Sequence, residues 1–328
     1  MGPESSRNPY ISLVITSYDI SRIRDIKILI LSLRVQEAKN FELIFIVEQD
    51  PILAQAISEE LVGCDFTTHV AFDSGHLGLA RARNLGSSLA RGQVIAFADD
   101  DVALDSGWSL TVETTFQSCP ELAGITGPAY PTWDFRKPSW IPPSFEWLIG
   151  TTGWFASESA VEIRNCWGMN MAFRRDVFSN VGGFPTDSSD RSRYQKSAEF
   201  VGQRRGKSFG SFAEDVGISL KIFEQTGGVL YFIPSMIVFV DVHKYRLESG
   251  YIVARSRWIG HTQRSLRKLR LRTLPSQKRI RRQLSLNIAL SFIRPFYPGG
   301  SDIDVIVKKY RLMLLVLASF LVGFLNGP

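Results

Sequence analysis

Within its first hundred residues the chain alternates four times between short, continuously apolar runs and stretches whose apolar residues return at helical spacing. Residues 10–15, 41–47, 69–72 and 94–98 are the apolar runs, and residues 23–35, 51–61 and 79–90 separate them. The first separator carries Ile23, Ile26, Leu29, Ile30 and Leu33, the i, i+3, i+4 recurrence of an amphipathic helix. A strand apolar on both faces is one buried on both faces, as parallel strands are. The alternation therefore predicts an α/β fold, a doubly wound, mostly parallel sheet flanked by helices.

The fourth run ends in Asp99-Asp100-Asp101. Open α/β sheets bind their ligands outside the carboxyl ends of the strands, and this end carries three consecutive carboxylates. Asp99 and Asp101 form an Asp-x-Asp pair able to hold a hard divalent ion through oxygen ligands. The triplet by itself fits a solvated acidic turn equally well. Asp100 points the other way on an extended segment and reads as structural.

Other stretches add candidates. Residues 75–86 contain glycines near a helix start but neither a Gly-x-Gly-x-x-Gly nor a Walker A sequence. Arg81 and Arg83 point in different directions on that helix, so at least one can face the triplet, although each alone also reads as a solvated residue. Residues 128–155 hold Trp133, Trp140, Trp147 and Trp154 among five prolines, which predicts sparse regular structure. Aromatics there suit a ligand cleft, a membrane interface or packing on the sheet. Residues 165–174 alternate like a strand, and residues 187–210 read as a polar, basic loop. Glu214 and Asp215 stand at a helix start, where acids complement the dipole and where a carboxylate facing a cleft can serve as a general base. His243 follows a strand and matters only if it folds back to a metal.

The charge of +6 is uneven: residues 255–282 carry eleven Lys or Arg and no Asp or Glu, leaving the rest of the chain net acidic. That segment predicts an anionic partner, phospholipid headgroups or nucleic acid. Its apolar sequel, residues 312–325, has 14 residues, short of the roughly 20 that span a bilayer. A helical hairpin lying in the membrane face is the expectation, with residues 1–245 as the catalytic domain, 246–283 as a basic helical segment and 284–328 as the hairpin. Cys64, Cys119 and Cys166 are odd in number and widely spaced, which reads as reduced thiols in the cytosol. The first nine residues lack the pattern of a cleaved signal peptide.

Taken in order, these elements resemble the family 2 inverting glycosyltransferases with the GT-A fold. The residues concerned are Leu13-Val14-Ile15-Thr16-Ser17-Tyr18, Glu48-Gln49-Asp50, Ala82-Arg83-Asn84-x-Gly86, Phe97-Ala98-Asp99-Asp100-Asp101, Gly168-Met169-Asn170-Met171-Ala172-Phe173-Arg174, Gly182-Gly183-Phe184 and Glu214-Asp215. The stretch Trp140 to Gly150 further resembles the archaeal enzymes that extend a dolichyl-phosphate-linked sugar, the glucosyl-dolichyl phosphate glucuronosyltransferases.

The resemblance implies a nucleotide-sugar donor, UDP-linked, and a lipid-linked acceptor, with the enzyme on the cytoplasmic face of the membrane. It implies Thr16, Tyr18 and Glu48 at the nucleoside, Arg83 near the diphosphate, and Asp99 at the ribose or metal. Asp101 would bind Mg²⁺ or Mn²⁺, with His243 completing the shell. Asp215 becomes the base, and Trp167, Gly168, Asn170, Glu214 and Trp147 line the sugar or acceptor pocket. Glu48 departs from the Asp usual in the family. Rival readings are a glycosyltransferase acting on non-lipid glycans, a nucleotidyltransferase, and a basic membrane- or RNA-binding module. The second lacks its glycine-rich loop after the first strand, and no recognition motif accompanies the charges of the third, so no nucleic acid is expected.

Overall fold

Each of the four apolar runs becomes a strand of one sheet in the computed structural model, which describes residues 9–75, 77–152, 155, 157–186, 214–268 and 303–326. The strands β1 (Ile11–Ser17), β2 (Phe41–Glu48), β3 (Thr67–Asp73) and β4 (Val94–Ala98) are separated by α1 (Ile23–Arg34), α2 (Pro51–Glu60) and α3 (Leu79–Leu89). They run parallel in the order β3-β2-β1-β4. Because β1 leads outward to β2 and β3 while β4 returns on its other side, the switch in strand order falls between β1 and β4. That is where such sheets bind ligands.

Beyond β4 come β5 (Val102–Leu104), α4 (Trp108–Ser118), β6 (Leu122–Thr126), β7 (Ala129–Thr132), β8 (Val161–Ile163), β9 (Asn170–Arg174) and α5 (Arg175–Asn180). Then follow α6 (Glu214–Thr226), β10 (Val229–Phe232) and β11 (Val238–Asp241). The main sheet continues β4-β9-β6-β10-β8, with β9 antiparallel to both neighbours. A second sheet, β5-β11-β7, stands at the same end of the molecule as the triplet, since Val102 opens β5 directly after Asp101. The strand-like stretch 165–174 is thus shorter than expected, because pairing with β4 starts only at Asn170.

Side chains alternate across the main sheet into two cores. On one face Leu13 and Ile15 pack with Ile26 and Leu29 of α1, Leu53 and Ile57 of α2, and Trp108 and Phe116 of α4. On the other, Val14 and Phe97 meet Ala80 and Ala82 of α3, Phe178 of α5, and Ile218 and Ile222 of α6. Gly86 lets α3 lie close on β1: a Cβ there would come within 2.3 Å of Val14 Cγ1.

After Tyr245 the chain forms α7 (Ser249–Lys268) and, past residues outside the description, α8 (Ile303–Asn326). These two helices pack on each other with backbones so close that a Cβ on Gly260 would fall 2.1 Å from the Phe320 carbonyl oxygen. Ile252 of α7 and Leu312, Met313 and Val316 of α8 join Ile141, Phe145, Ile149 and Val242 in a third apolar cluster. The tryptophan-rich stretch therefore packs against the C-terminal helices through a 3-10 turn at Pro143–Ile149. Residues 187–213 and 269–302, which include the expected basic loop, the helix break near Pro275 and the first arm of the expected hairpin, lie outside the described residues. No described helix is long and apolar enough to cross a membrane.

Candidate active site

The acidic end of β4 lies at the switch point, and each member of the triplet has its own partners. Asp100 is buried, with Ser17 Oγ on β1 donating to its Oδ2 at 2.5 Å. Burial beside the Asp101 carboxylate pushes Asp100 up to about 7, against the pull of Arg22. Asp101 is also buried and accepts from Arg246 Nη2 at 2.5 Å, with Arg22 Nη2 at 3.6 Å. The same Arg22 nitrogen stands 3.6 Å from Asp100. Asp99 is the open member: its side chain is 42% exposed, and its Oδ1 accepts from Arg83 Nη2 at 2.9 Å.

Arg83, on α3, is 1% exposed and joins three segments. Besides Asp99 it donates to Glu214 Oε1 at 3.0 Å and to the Gly168 carbonyl at 2.9 Å, while its guanidinium lies over the rings of Phe97 and Phe184. A planar fork can serve several acceptors at once, which an ammonium cannot. Glu214 is buried, and that burial pushes its carboxyl up to about 8, Arg83 pulling down and Asp215 pushing up. Asp215, in the first turn of α6, accepts from the Gly168 N–H at 3.0 Å and from the Val216 N–H at 2.7 Å. Burial raises its pKa and those two amides act in the opposite direction. One connected array thus runs from Asp215 through Gly168 and Arg83 to Asp99.

Thr16 lies on β1, and Tyr18, just past it, is 45% exposed. Glu48 is buried and accepts from the N–H groups of Leu77 and Gly78 at 2.7 and 2.9 Å, so it fixes the turn into α3. Trp167 packs edge-on against Phe155 and Phe232. Trp147 stacks on Phe145 beside the third cluster. His243 Nε2 lies 3.1 Å from Asp25 Oδ2 and 3.4 Å from Arg22, while Asp101 is held by Arg22 and Arg246.

Asn170, expected in the pocket, is fully buried: Trp108 Nε1 donates to its Oδ1 at 2.9 Å, and its Nδ2 donates to the Met236 carbonyl at 2.7 Å. Both ends of the amide are thus used inside the fold, and it does not line a pocket. Asn170→Ala would orphan both partners and is expected to cost about 2 kcal/mol in urea unfolding, with donor affinity of the folded protein unchanged. A stable variant with weakened donor binding would return Asn170 to the pocket.

Arg22 and Arg246 escaped the sequence reading. Neither belongs to a local pattern, and Arg246 meets Asp101 across a separation of 145 residues. The only signal was that a buried acidic triplet needs compensating charge.

Asp99 offers a hard oxygen donor with an exposed face, and Asp101, buried two residues on and shared with Arg22 and Arg246, offers a second, a donor type that suits a Mg²⁺ or Mn²⁺ ion.

The sheet order, the acidic end of β4 and the carboxylate pair at the start of α6 define a glycosyltransferase of the GT-A fold. The chain belongs to glycosyl transferase family 2, whose model matches residues 12–182, just over half of its length. It is 27% identical over 254 residues, 77% of this chain and 76% of the relative, to the glucosyl-dolichyl phosphate glucuronosyltransferase of Haloferax volcanii. In fold it is similar to the mannosyltransferase PcManGT of Pyrobaculum calidifontis, solved with GDP-Man and Mn²⁺. That likeness has a TM-score of 0.57 at 14% identity and covers 99% of this chain and 89% of the other.

Proposed function

We propose that this glycosyltransferase moves a sugar, with inversion and with a divalent metal, from a UDP-linked donor to a lipid-linked acceptor. The observation that carries the reading is the Asp215 carboxylate anchored on the Gly168 amide, in one array with Arg83 and the exposed Asp99. Asp215 takes the proton of the acceptor hydroxyl as that oxygen attacks the anomeric carbon. The bond to the donor phosphate oxygen breaks in the same step, and its electron pair leaves with the nucleoside diphosphate. A single displacement inverts the centre, and no carboxylate nucleophile is needed. Asp99 and Asp101 would hold Mg²⁺ or Mn²⁺, which supplies positive charge to the leaving diphosphate. Arg83, buried beneath these groups, fixes Asp99 and Gly168 and takes no direct part in binding the diphosphate.

The acceptor reading rests on the Haloferax relative, whose name specifies a glucosyl-dolichyl phosphate. A glycan linked to dolichyl phosphate, which presents a sugar hydroxyl to Asp215, is therefore the proposed acceptor class; dolichyl phosphate itself would attack through an ionised phosphate oxygen and need no base. The outer face of α8 suits a lipid surface: Leu314, Leu317, Leu321, Val322 and Leu325 are exposed along it, with Lys308 and Arg311 exposed at its start. Such a helix would lie in the interface with its cations at anionic headgroups, and the proposed location is peripheral, on the cytoplasmic face of the membrane.

Two measurements check these readings. UDP-sugars with Mn²⁺ should stabilise the protein by about 3 kcal/mol at a hundredfold excess over Kd, and Asp101→Ala should remove the metal-dependent part. Equal stabilisation in excess chelator would contradict the metal's role. The double variant Leu317→Glu, Leu321→Glu should lose co-flotation with anionic liposomes. Unchanged flotation would remove α8 from the membrane contact.

A further inference from the structure

Arg255 stands on α7, the helix packed against α8, and the transfer step makes no use of it. One turn earlier, at the i, i+4 spacing that shares a helix face, lies Tyr251. The Tyr251 ring meets that of Tyr245 edge-on at 5.5 Å, and the Tyr245 ring lies 6.0 Å from the guanidinium of Arg246, which holds Asp101. This face of α7 therefore looks onto the mouth of the site. Arg255 itself is half-buried, with its guanidinium 4.4 Å above the ring of Trp258. Burial lowers its pKa, and the Tyr251 phenol and the carboxylates of Asp215 and Asp99 act in the opposite direction. The base and the exposed member of the triplet are thus within its electrostatic reach.

We propose that Arg255, with Tyr251 beside it, binds the phosphodiester of a lipid-linked acceptor and so selects acceptors that carry this charge. The inference rests on the acceptor reading given above and narrows it to a single sugar on a lipid phosphodiester. Such an acceptor carries its fixed negative charge one sugar away from the hydroxyl that Asp215 activates, on the side of the lipid. A helix that reaches the base at one face and packs on the lipid-facing α8 at another is where a cation would meet that charge. The packing is close: a Cβ on Gly260 of α7 would fall 2.1 Å from the Phe320 carbonyl oxygen of α8. A guanidinium stays charged in such surroundings, and its fork matches the oxygens of a phosphate. The competing account makes Arg255 an electrostatic brace for Asp215 alone, whose ionised form it favours. A brace would take no notice of whether the acceptor carries a phosphate.

The test titrates the full chain calorimetrically, in mild detergent, with glucosyl farnesyl phosphate and with farnesyl glucoside. The two lipids share sugar and chain and differ by the phosphodiester, so the contribution of the lipid-facing helix cancels. The wild type is expected to bind the phosphodiester about tenfold more tightly, the scale of one charge-assisted contact. In Arg255→Met, which keeps an apolar stem over Trp258, the two lipids should bind alike, and Arg255→Lys should retain part of the preference. Circular dichroism checks that the variants fold, and Arg255→Gln decides the matter should Arg255→Met fail to. Equal affinities or no binding in the wild type would overturn the proposal, as would a preference that survives in the folded uncharged variants. Weaker stabilisation of Arg255→Met by UDP-sugar would also overturn it, by assigning the arginine to the donor. Binding of UDP-sugar to the wild type is read separately, so failure here leaves the transfer reading standing, and its absence beside an intact lipid preference would fail that reading alone.

Discussion

Asp215→Asn is expected to lower turnover by about 10²–10⁴-fold while leaving UDP-sugar affinity within about twofold of wild type, because a general base acts on the acceptor and contributes on that scale. The amide keeps the size of the side chain and can still accept from Gly168, but it cannot take a proton. Steady-state rates with donor titrations would check both halves. Loss of donor affinity together with turnover would make Asp215 a binding residue instead. The pH profile gives an independent reading. Burial raises the Asp215 pKa, and only the ionised form can act as base, so activity should fall as pH drops through a value above the usual carboxylate range. An acid limb at an ordinary carboxylate pKa would argue against a buried base.

The second large effect is on stability. Arg83→Met fills most of the volume but leaves Glu214, Asp99 and the Gly168 carbonyl without their shared donor. Breaking a buried ion pair by removing one partner costs about 3–5 kcal/mol, and urea unfolding with chelator present should show a loss of that size. Arg83→Lys should recover only a minor part, since one ammonium cannot reach three acceptors set around a planar fork. A loss below about 1 kcal/mol in Arg83→Met would show that the array does not depend on this guanidinium. Activity should fall in both variants, because Gly168 is the contact that anchors Asp215.

Much of this was legible before any coordinates. The strands β1, β2 and β4 announced themselves because a parallel strand covered on both faces is nearly continuously apolar, and Leu13, Val14 and Ile15 alternate between two cores without a polar break. The triplet and the Glu214-Asp215 pair were legible only in company, since each alone fits a solvated turn or a helix start, and it was their order among the other motifs that marked them. Asn170 misled by the same route. The family resemblance implied a pocket residue there, yet its amide is consumed by Trp108 and Met236, 62 and 66 residues away. Arg246 and Arg22 were illegible on the same ground, since their meaning lies wholly in tertiary neighbours. Glu48 was seen as a strand-end acid, but sequence alone gave no sign that backbone amides of the next turn would claim it.

The reversed direction of β9 acts as a delivery device. Its register pairs Asn170 with Ala98, so β9 begins where β4 ends, and the segment leading into it arrives beside the triplet. A strand of five residues rises about 16 Å, so a parallel β9 would have set Gly168 down at the far edge of the sheet, out of reach of Arg83 and Asp215. The reversal of β9 thereby brings Gly168 to the same address as Arg83, Asp99 and Asp215.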